Sequence, residues 1–314
     1  VQISSKSLNC APWRCLNLAA WPFLIVTMHS FSGVLMNYRH AFHAGNHADV
    51  LKHFVLTRLI ALMSRKEAPM AYVDSHAGIG LYDLMGDEAN RTGEWLEGIG
   101  RLWQRQDLPE EMADYLATVR ALNEADTLKY YPGSPEIARQ LMREQDRLLL
   151  NEKHPADGPE LKANMAHDDR VAVHLSEGWQ VPRALLPTRE KRVLMLIDPP
   201  FEQVDELERC VAALNESIGR MRQAVVAIWY PIKHPRQLKR FYQDLARSSA
   251  PKLLRAELMV HSPENSEGLN GSGLVISNPP WGLEEELRRL LPWLAKVLTQ
   301  GEGSWQLDWL IAES

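Results

Sequence analysis

Seven short apolar runs, most of them separated by stretches with helical spacing, restrict the fold of this chain more than any other feature. They are AYVDSH (71–76), RLLLNEKH (147–154), VAVHLSEG (171–178), RVLMLIDPPF (192–201), AVVAIWYPI (224–232), LRAELMVH (254–261) and GLVISNPPW (273–281). Residues 203–222 and 235–247 supply helices between them. Strands that alternate with helices specify a parallel, doubly wound sheet. Ahead of the first run, residues 47–66 place Val50, Leu51, Phe54, Val55, Leu59 and Leu62 at helical spacing.

One interval breaks the rhythm. About 70 residues separate the first two strands, too many for a single crossover helix. Residues 93–106 and 109–125 have helical character, so an inserted helical subdomain is expected over 86–127. The crossover helix then resumes at GSPEIARQLMREQD (133–146), with Ser134 placed as its N-cap and Pro135 at its first position.

At 314 residues the chain can bury a full core. Its net charge of −5 does not advertise nucleic-acid binding, so any such contact must come from local basic patches. Cys10, Cys15 and Cys210 form no CxxC pair and no even framework, which fits reduced thiols and a cytoplasmic setting. Residues 1–35 stand apart. LNLAAWPFLIV (16–26), behind Lys6 and Arg14, faintly resembles a signal-peptide core, but it is too short to span a bilayer and Pro22 interrupts it. An over-extended reading frame with its start at Met36 is the expectation; a targeting segment and a real extension are the alternatives. No membrane association is expected.

The first strand runs into DSHAGIG (74–80), an acid followed by Gly78 and Gly80 in a tight turn where backbone can approach a ligand. The dinucleotide fingerprint G-x-G-x-x-G is incomplete, because position 83 is Asp83. That argues against a pyrophosphate-bearing cofactor, which needs a helix N-terminus close by, and leaves room for S-adenosylmethionine. Glu152 ends the second strand, where a carboxylate can accept from both hydroxyls of a ribose. Ser176, Glu177 and Gly178 end the third, where polar groups could read an adenine. All three sites fall at the carboxyl ends of the strands, the edge where open α/β sheets bind ligands.

Two stretches look almost interchangeable: LMLIDPPFE (194–202) and LVISNPPWG (274–282). Each ends an apolar run with Asp or Asn, two prolines and an aromatic ring. An exocyclic amino group on a base is a poor nucleophile because its lone pair is delocalised. Accepting hydrogen bonds from both of its N–H groups draws the lone pair out of the ring. A side-chain oxygen of Asp198 and the carbonyl of Pro199 can do this on a turn stiffened by proline, while Phe201 offers a stacking face. The fourth strand lies beside the first in a methyltransferase sheet, so Asp198 opens onto the edge of Asp74 and Gly78. The seventh runs antiparallel there, which puts Asn278 and Trp281 on the opposite edge as a structural turn. Asp198 is the expected catalytic residue.

MNYRHAFHAGNHADVLKH (36–53), DSHAGIG, RTGEWLEGI, YYPGSPEIARQLMREQD, IDPPF and NPPW occur here in an order that resembles one bacterial family, the RlmJ-type (YhiR) 23S ribosomal RNA adenine-N6 methyltransferases. The resemblance runs from residue 36 to the C-terminal end. It implies a Rossmann-like class I S-adenosylmethionine-dependent methyltransferase with a seven-stranded, mostly parallel sheet and a small helical insertion between the first two strands. It also implies S-adenosyl-L-homocysteine as product, 23S ribosomal RNA as partner and no metal. The family's cofactor positions fall on Lys52, His53, His76, Ser134, Glu152, Glu177 and Gly178, and its catalytic aspartate on Asp198. Two departures are visible: Phe201 stands where the family usually has Tyr, and Glu177 where Asp is common.

His40, His43, His47 and His53 crowd into 14 residues. A zinc site would need other ligands, and Lys52 would set a positive charge beside the metal. Tyr38 and His40 are instead expected to form a flap that shapes the base pocket. Lys233, Arg236, Lys239 and Arg240 follow the fifth strand on the active edge and are candidate phosphate contacts. Arg101, Trp103 and Arg105 form a second candidate RNA surface. The rivals are amino-group methylation of DNA (adenine N6 or cytosine N4), of guanine N2 or of a protein glutamine, a nicotinamide oxidoreductase, and an RNA-binding module without activity. A monomer is expected.

Overall fold

Alternate residues of each central strand feed opposite faces of one sheet, and this divides the core in two. Tyr72, Leu148, Leu150, Leu194 and Leu196 point to one side; Val73, Leu149, Val193, Met195 and Ile197 point to the other. Strands covered on both faces read as unbroken apolar runs, which is why seven were visible in the sequence.

The computed structural model describes residues 38–265 and 268–312; the expected start at Met36, the segment 1–35, Cys10 and Cys15 lie outside them. In chain order the helices and strands are α1 (His47–Ser64), β1 (Ala71–Asp74), β2 (Leu81–Asp83), α2 (Asp87–Thr92), α3 (Gly100–Trp103), α4 (Ala113–Arg120), β3 (Tyr130–Pro132), α5 (Ser134–Leu141), β4 (Arg147–Asn151) and α6 (Asp157–Asn164). Then follow β5 (Val171–His174), α7 (Val181–Leu185), β6 (Val193–Ile197), α8 (Glu206–Arg220), β7 (Val225–Ile232), α9 (Lys239–Ala246), β8 (Leu253–Met259), β9 (Gly271–Ser277), α10 (Leu283–Leu298) and β10 (Ser304–Ile311).

The main sheet has the order β10-β8-β9-β7-β6-β1-β4-β5. β7, β6, β1, β4 and β5 are parallel, and β9 is antiparallel to both β7 and β8. This is the class I methyltransferase fold. The strand count is a correction: β10 pairs antiparallel with β8 and makes an eighth strand where seven were expected. Its alternating Trp305, Leu307 and Trp309 were the available signal.

Residues 86–127 carry α2, α3 and α4, and the two-stranded sheet of β2 and β3 brings their ends together. Ile99, Leu102, Trp103, Tyr115 and Leu116 join the same apolar cluster as α1 and α10. α1 is enclosed nearly all round. Its N-cap is Asn46, whose side-chain oxygen accepts from the backbone N–H groups of Ala48 and Asp49, a contribution of about 1 kcal/mol. Arg58 ties the helix to Glu286 of α10 at 2.8 Å and to Asp114 of α4 at 2.8 Å. Among the described residues no helix is long and apolar enough to cross a membrane.

Candidate active site

Because β1 and β6 are parallel neighbours, the turns that follow them share one edge. Ser75 donates to the carbonyl of Leu196 through both its N–H and its hydroxyl, each at 3.1 Å. Asp198 therefore opens beside the 74–80 loop. The look-alike turn lies elsewhere. Asn278 follows antiparallel β9, and its amide donates to the carbonyls of Arg222 and Ala224, both at 2.9 Å, where β7 begins. Trp281 is 88% exposed. Asn278 closes the far edge of the sheet, as its strand direction required.

At Asp198 the prolines lead to Phe201, which has φ +52°, a conformation unusual for a bulky residue. Its ring meets Trp229 edge-on with centroids 5.7 Å apart. The buried indole N–H of Trp229 has no protein acceptor among the described residues. Lys52 reaches in from α1. Its ammonium donates to Asp198 Oδ2 at 2.6 Å and lies 2.8 Å from Asp49 Oδ1. Burial alone would depress the ammonium's pKa, but the Asp198 and Asp49 carboxylates reverse this and hold it above its ordinary value. Asp198 Oδ1 is left without a protein partner among the described residues, on a side chain that is 14% exposed.

The residues before α1 lie over this turn. The Tyr38 N–H donates to Glu202 Oε1 at 2.7 Å, and the Tyr38 hydroxyl bonds His40 Nδ1 at 2.8 Å. His40 Nε2 bonds Asp49 Oδ2 at 2.9 Å. Each of the other histidines has its own explanation: His43 pairs with Glu94, His53 bonds the Tyr131 hydroxyl, and His47 is buried and held neutral, with its pKa lowered to about 4 by desolvation. Among the described residues no cluster of His, Cys, Asp or Glu has the geometry of a metal site.

On the other side of the 74–80 loop, Gly78 and Gly80 have φ of +61° and +81°, values that only glycine adopts without strain. Glu152 accepts from Gly78 N–H at 2.8 Å through one oxygen and from His154 N–H at 2.7 Å through the other. Each oxygen keeps a lone pair, as a ribose diol would need. Burial raises the Glu152 pKa, and the two N–H groups partly offset this. The His76 ring lies against Gly178, where a Cβ would stand 2.2 Å from Nε2. Burial holds His76 neutral, with its pKa lowered to about 3. A glycine-lined loop, a buried carboxylate and a neutral ring on one edge suit an uncharged nucleoside.

A family model described as "Ribosomal RNA large subunit methyltransferase D, RlmJ" matches residues 67–311. The chain belongs to the RlmJ family. It is 44% identical over 281 residues to a Haemophilus influenzae protein named "Ribosomal RNA large subunit methyltransferase J", covering 89% of this chain and 100% of that one. The Escherichia coli K12 protein of the same name is 43% identical over 280 residues, with the same coverage. A solved structure from Legionella pneumophila superposes with a TM-score of 0.79 at 35% identity, over 85% of this chain and 98% of its own.

Several residues expected to touch cofactor in an RlmJ member also bond protein partners. Asp74 is fully buried; its Oδ2 accepts from the hydroxyls of Tyr72 at 2.6 Å and Ser134 at 2.7 Å, and its Oδ1 from His76 N–H at 3.3 Å. It shapes the loop from behind. Ser134 is not the helix cap: Gly133 is, because the Ser134 hydroxyl is drawn to Asp74. Lys52 and His53 face Asp198 and Tyr131. Glu177 pairs with Lys153. Lys233, Arg236, Lys239 and Arg240 are exposed after β7, but Arg240 pairs with Glu208 at 3.0 Å and Asp244 at 3.6 Å. The second candidate RNA surface is not free. Trp103 is buried, Arg101 binds the terminal carbonyls of α10, and Arg105 pairs with Asp107. Asp49 was missed; an acid three residues before a lysine in a helix buried all round was its signal.

Proposed function

We propose that this chain transfers a methyl group from S-adenosyl-L-methionine to N6 of an adenine in 23S ribosomal RNA and releases S-adenosyl-L-homocysteine, acting as a monomer in the cytoplasm. One observation carries the choice of site. Asp198 has Oδ2 fixed by Lys52 and Oδ1 unclaimed among the described residues, on the sheet edge that holds the 74–80 loop, Glu152 and Gly178.

Gly78, Glu152, His76 and Gly178 are the groups that would hold the cofactor, which when bound supplies an electrophilic methyl on a sulfonium sulfur. Asp198 Oδ1 and the Pro199 carbonyl accept the two N–H bonds of an adenine amino group. This localises the nitrogen lone pair and points it outward. Phe201 stacks on a base lifted from its helix, and Tyr38 and His40 close the pocket from above. Lys52 keeps Asp198 in one rotamer and excludes water from its inner oxygen. Positioning and charge alignment supply the acceleration. Lys233, Arg236 and Lys239 serve RNA phosphates.

The test offers labelled S-adenosylmethionine with protein-free 23S RNA, DNA and cell protein. Label on RNA adenine N6 supports the proposal. Label on DNA or protein keeps the site and replaces the substrate.

A further inference from the structure

Asp49 has no part in the chemistry just described, yet each of its oxygens serves a different half of the site. It is 1% exposed. Oδ1 faces the Lys52 ammonium at 2.8 Å; Oδ2 accepts from Gly45 N–H at 2.9 Å and bonds His40 Nε2 at 2.9 Å. Lys52 continues to Asp198, and His40 to the Tyr38 hydroxyl. A connected path thus runs from Tyr38 through His40, Asp49 and Lys52 to Asp198.

Burying a carboxylate is costly, and apolar packing would serve α1 at least as well. The bonding pattern gives the charge a use. A carboxylate can only accept, so His40 must carry its proton on Nε2. In the neutral ring Nδ1 is then an acceptor, and the Tyr38 hydroxyl donates to it.

We propose that Asp49 is a positioning residue that fixes the His40 tautomer, the direction of the Tyr38 hydroxyl and the seat of Lys52 on Asp198 together, so that placing the 38–43 segment and aligning Asp198 are one event. The proposal rests on the methyl-transfer reading of Asp198.

The test follows the Lys52 ammonium by nitrogen NMR in lysine-labelled protein, its signal identified by loss in Lys52→Arg. Asp49 bonds both His40 and Lys52, so a shift of that signal in His40→Ala that disappears in the Asp49→Asn background passes through Asp49 and not through Tyr38. The shift is expected with Asp49 in place and absent with Asp49→Asn. In methyl transfer, Asp49→Asn should lower kcat at least about 30-fold with KM for cofactor and RNA within about threefold, the pattern of a lost transition-state arrangement. His40→Ala and Lys52→Arg combined should cost at least about fivefold less than the product of their separate effects.

An unmoved Lys52 signal, or additive losses, would overturn the proposal. The second cycle keeps Asp49, so it decides even where Asp49→Asn fails to fold. Should the unaltered protein methylate no RNA, the substrate reading falls and the NMR comparison still decides this one.

Discussion

Lys52 Nζ and Asp198 Oδ2 are 2.6 Å apart, across 146 residues of sequence. Among the described residues Asp198 has one bound oxygen and one without a partner, whereas Asn278 in the look-alike turn spends its amide on two backbone carbonyls. Asp198→Ala should therefore reduce methyl transfer by about a thousandfold, in the range of a lost preorganised acceptor. Asn278→Ala should leave kcat within about twofold and lower stability by about 1–3 kcal/mol, because it strips partners from backbone carbonyls. Labelled-methyl transfer and denaturant unfolding check the two halves.

Asp74 sets a pH dependence. Burial raises its pKa from 3.8 to about 6, against the opposing pull of the Tyr72 and Ser134 hydroxyls. The folded state then holds this proton more tightly than the unfolded chain. The contribution to stability is complete below about pH 4 and is lost as pH rises through about 6, by on the order of 3 kcal/mol. Unfolding curves from pH 4 to 7 should show wild type losing this much relative to Asp74→Asn; parallel curves would count against it.

Gly178 has no room for a methyl group, since a Cβ would stand 2.2 Å from His76 Nε2. Gly178→Ala should weaken S-adenosylhomocysteine binding by about tenfold, equivalent to about 1.4 kcal/mol. Pairing it with His76→Ala should restore stability, because the clash is removed. Calorimetric titration and melting temperature separate the two effects.

Phe201 presents its ring from a left-handed backbone position and leans on Trp229. Phe201→Ala should lower kcat/KM for RNA by about 5- to 150-fold, the range of one base stacked on an aromatic ring. Phe201→Tyr should retain most of the activity. Equal losses in both variants would remove stacking from the account.

The basic residues after β7 are not equivalent. Lys233 and Arg236 are exposed, while Arg240 is paired with Glu208 and Asp244. Replacing Lys233 and Arg236 with Ala should weaken RNA binding at low salt and flatten the log–log salt dependence by about 1.4–1.8, at about 0.7–0.9 per phosphate contact. Arg240→Ala should change the slope little.

The parallel core was legible because its strands are covered on both faces and leave long apolar runs. The edge on which each proline pair falls was legible because strand direction alone assigns it. Asp49 was easy to pass over for a physical reason: in the first turn of a helix an acid already has an ordinary role against the helix dipole, and only its spacing to Lys52 in a helix apolar on most sides marked it. Ser134 misled because a serine before Pro135 has the spacing of a cap, and its pull toward Asp74 appears only once β1 lies beside α5. Arg101 read as surface because the partner that holds it, α10, is almost two hundred residues away. β10 was passed over although its alternation was plain, since the expected strand complement was already filled.

The two proline turns share their spelling but not their punctuation. In the first, the left-handed residue is the last, Phe201; in the second it is the first, Asn278. One turn bends the chain as it leaves the prolines, the other as it arrives at them. A four-letter pattern search would count two copies of a motif in this chain, while a search on backbone dihedrals would count two unrelated turns, and only the second search would rank Asp198 apart from Asn278 without knowing the sheet.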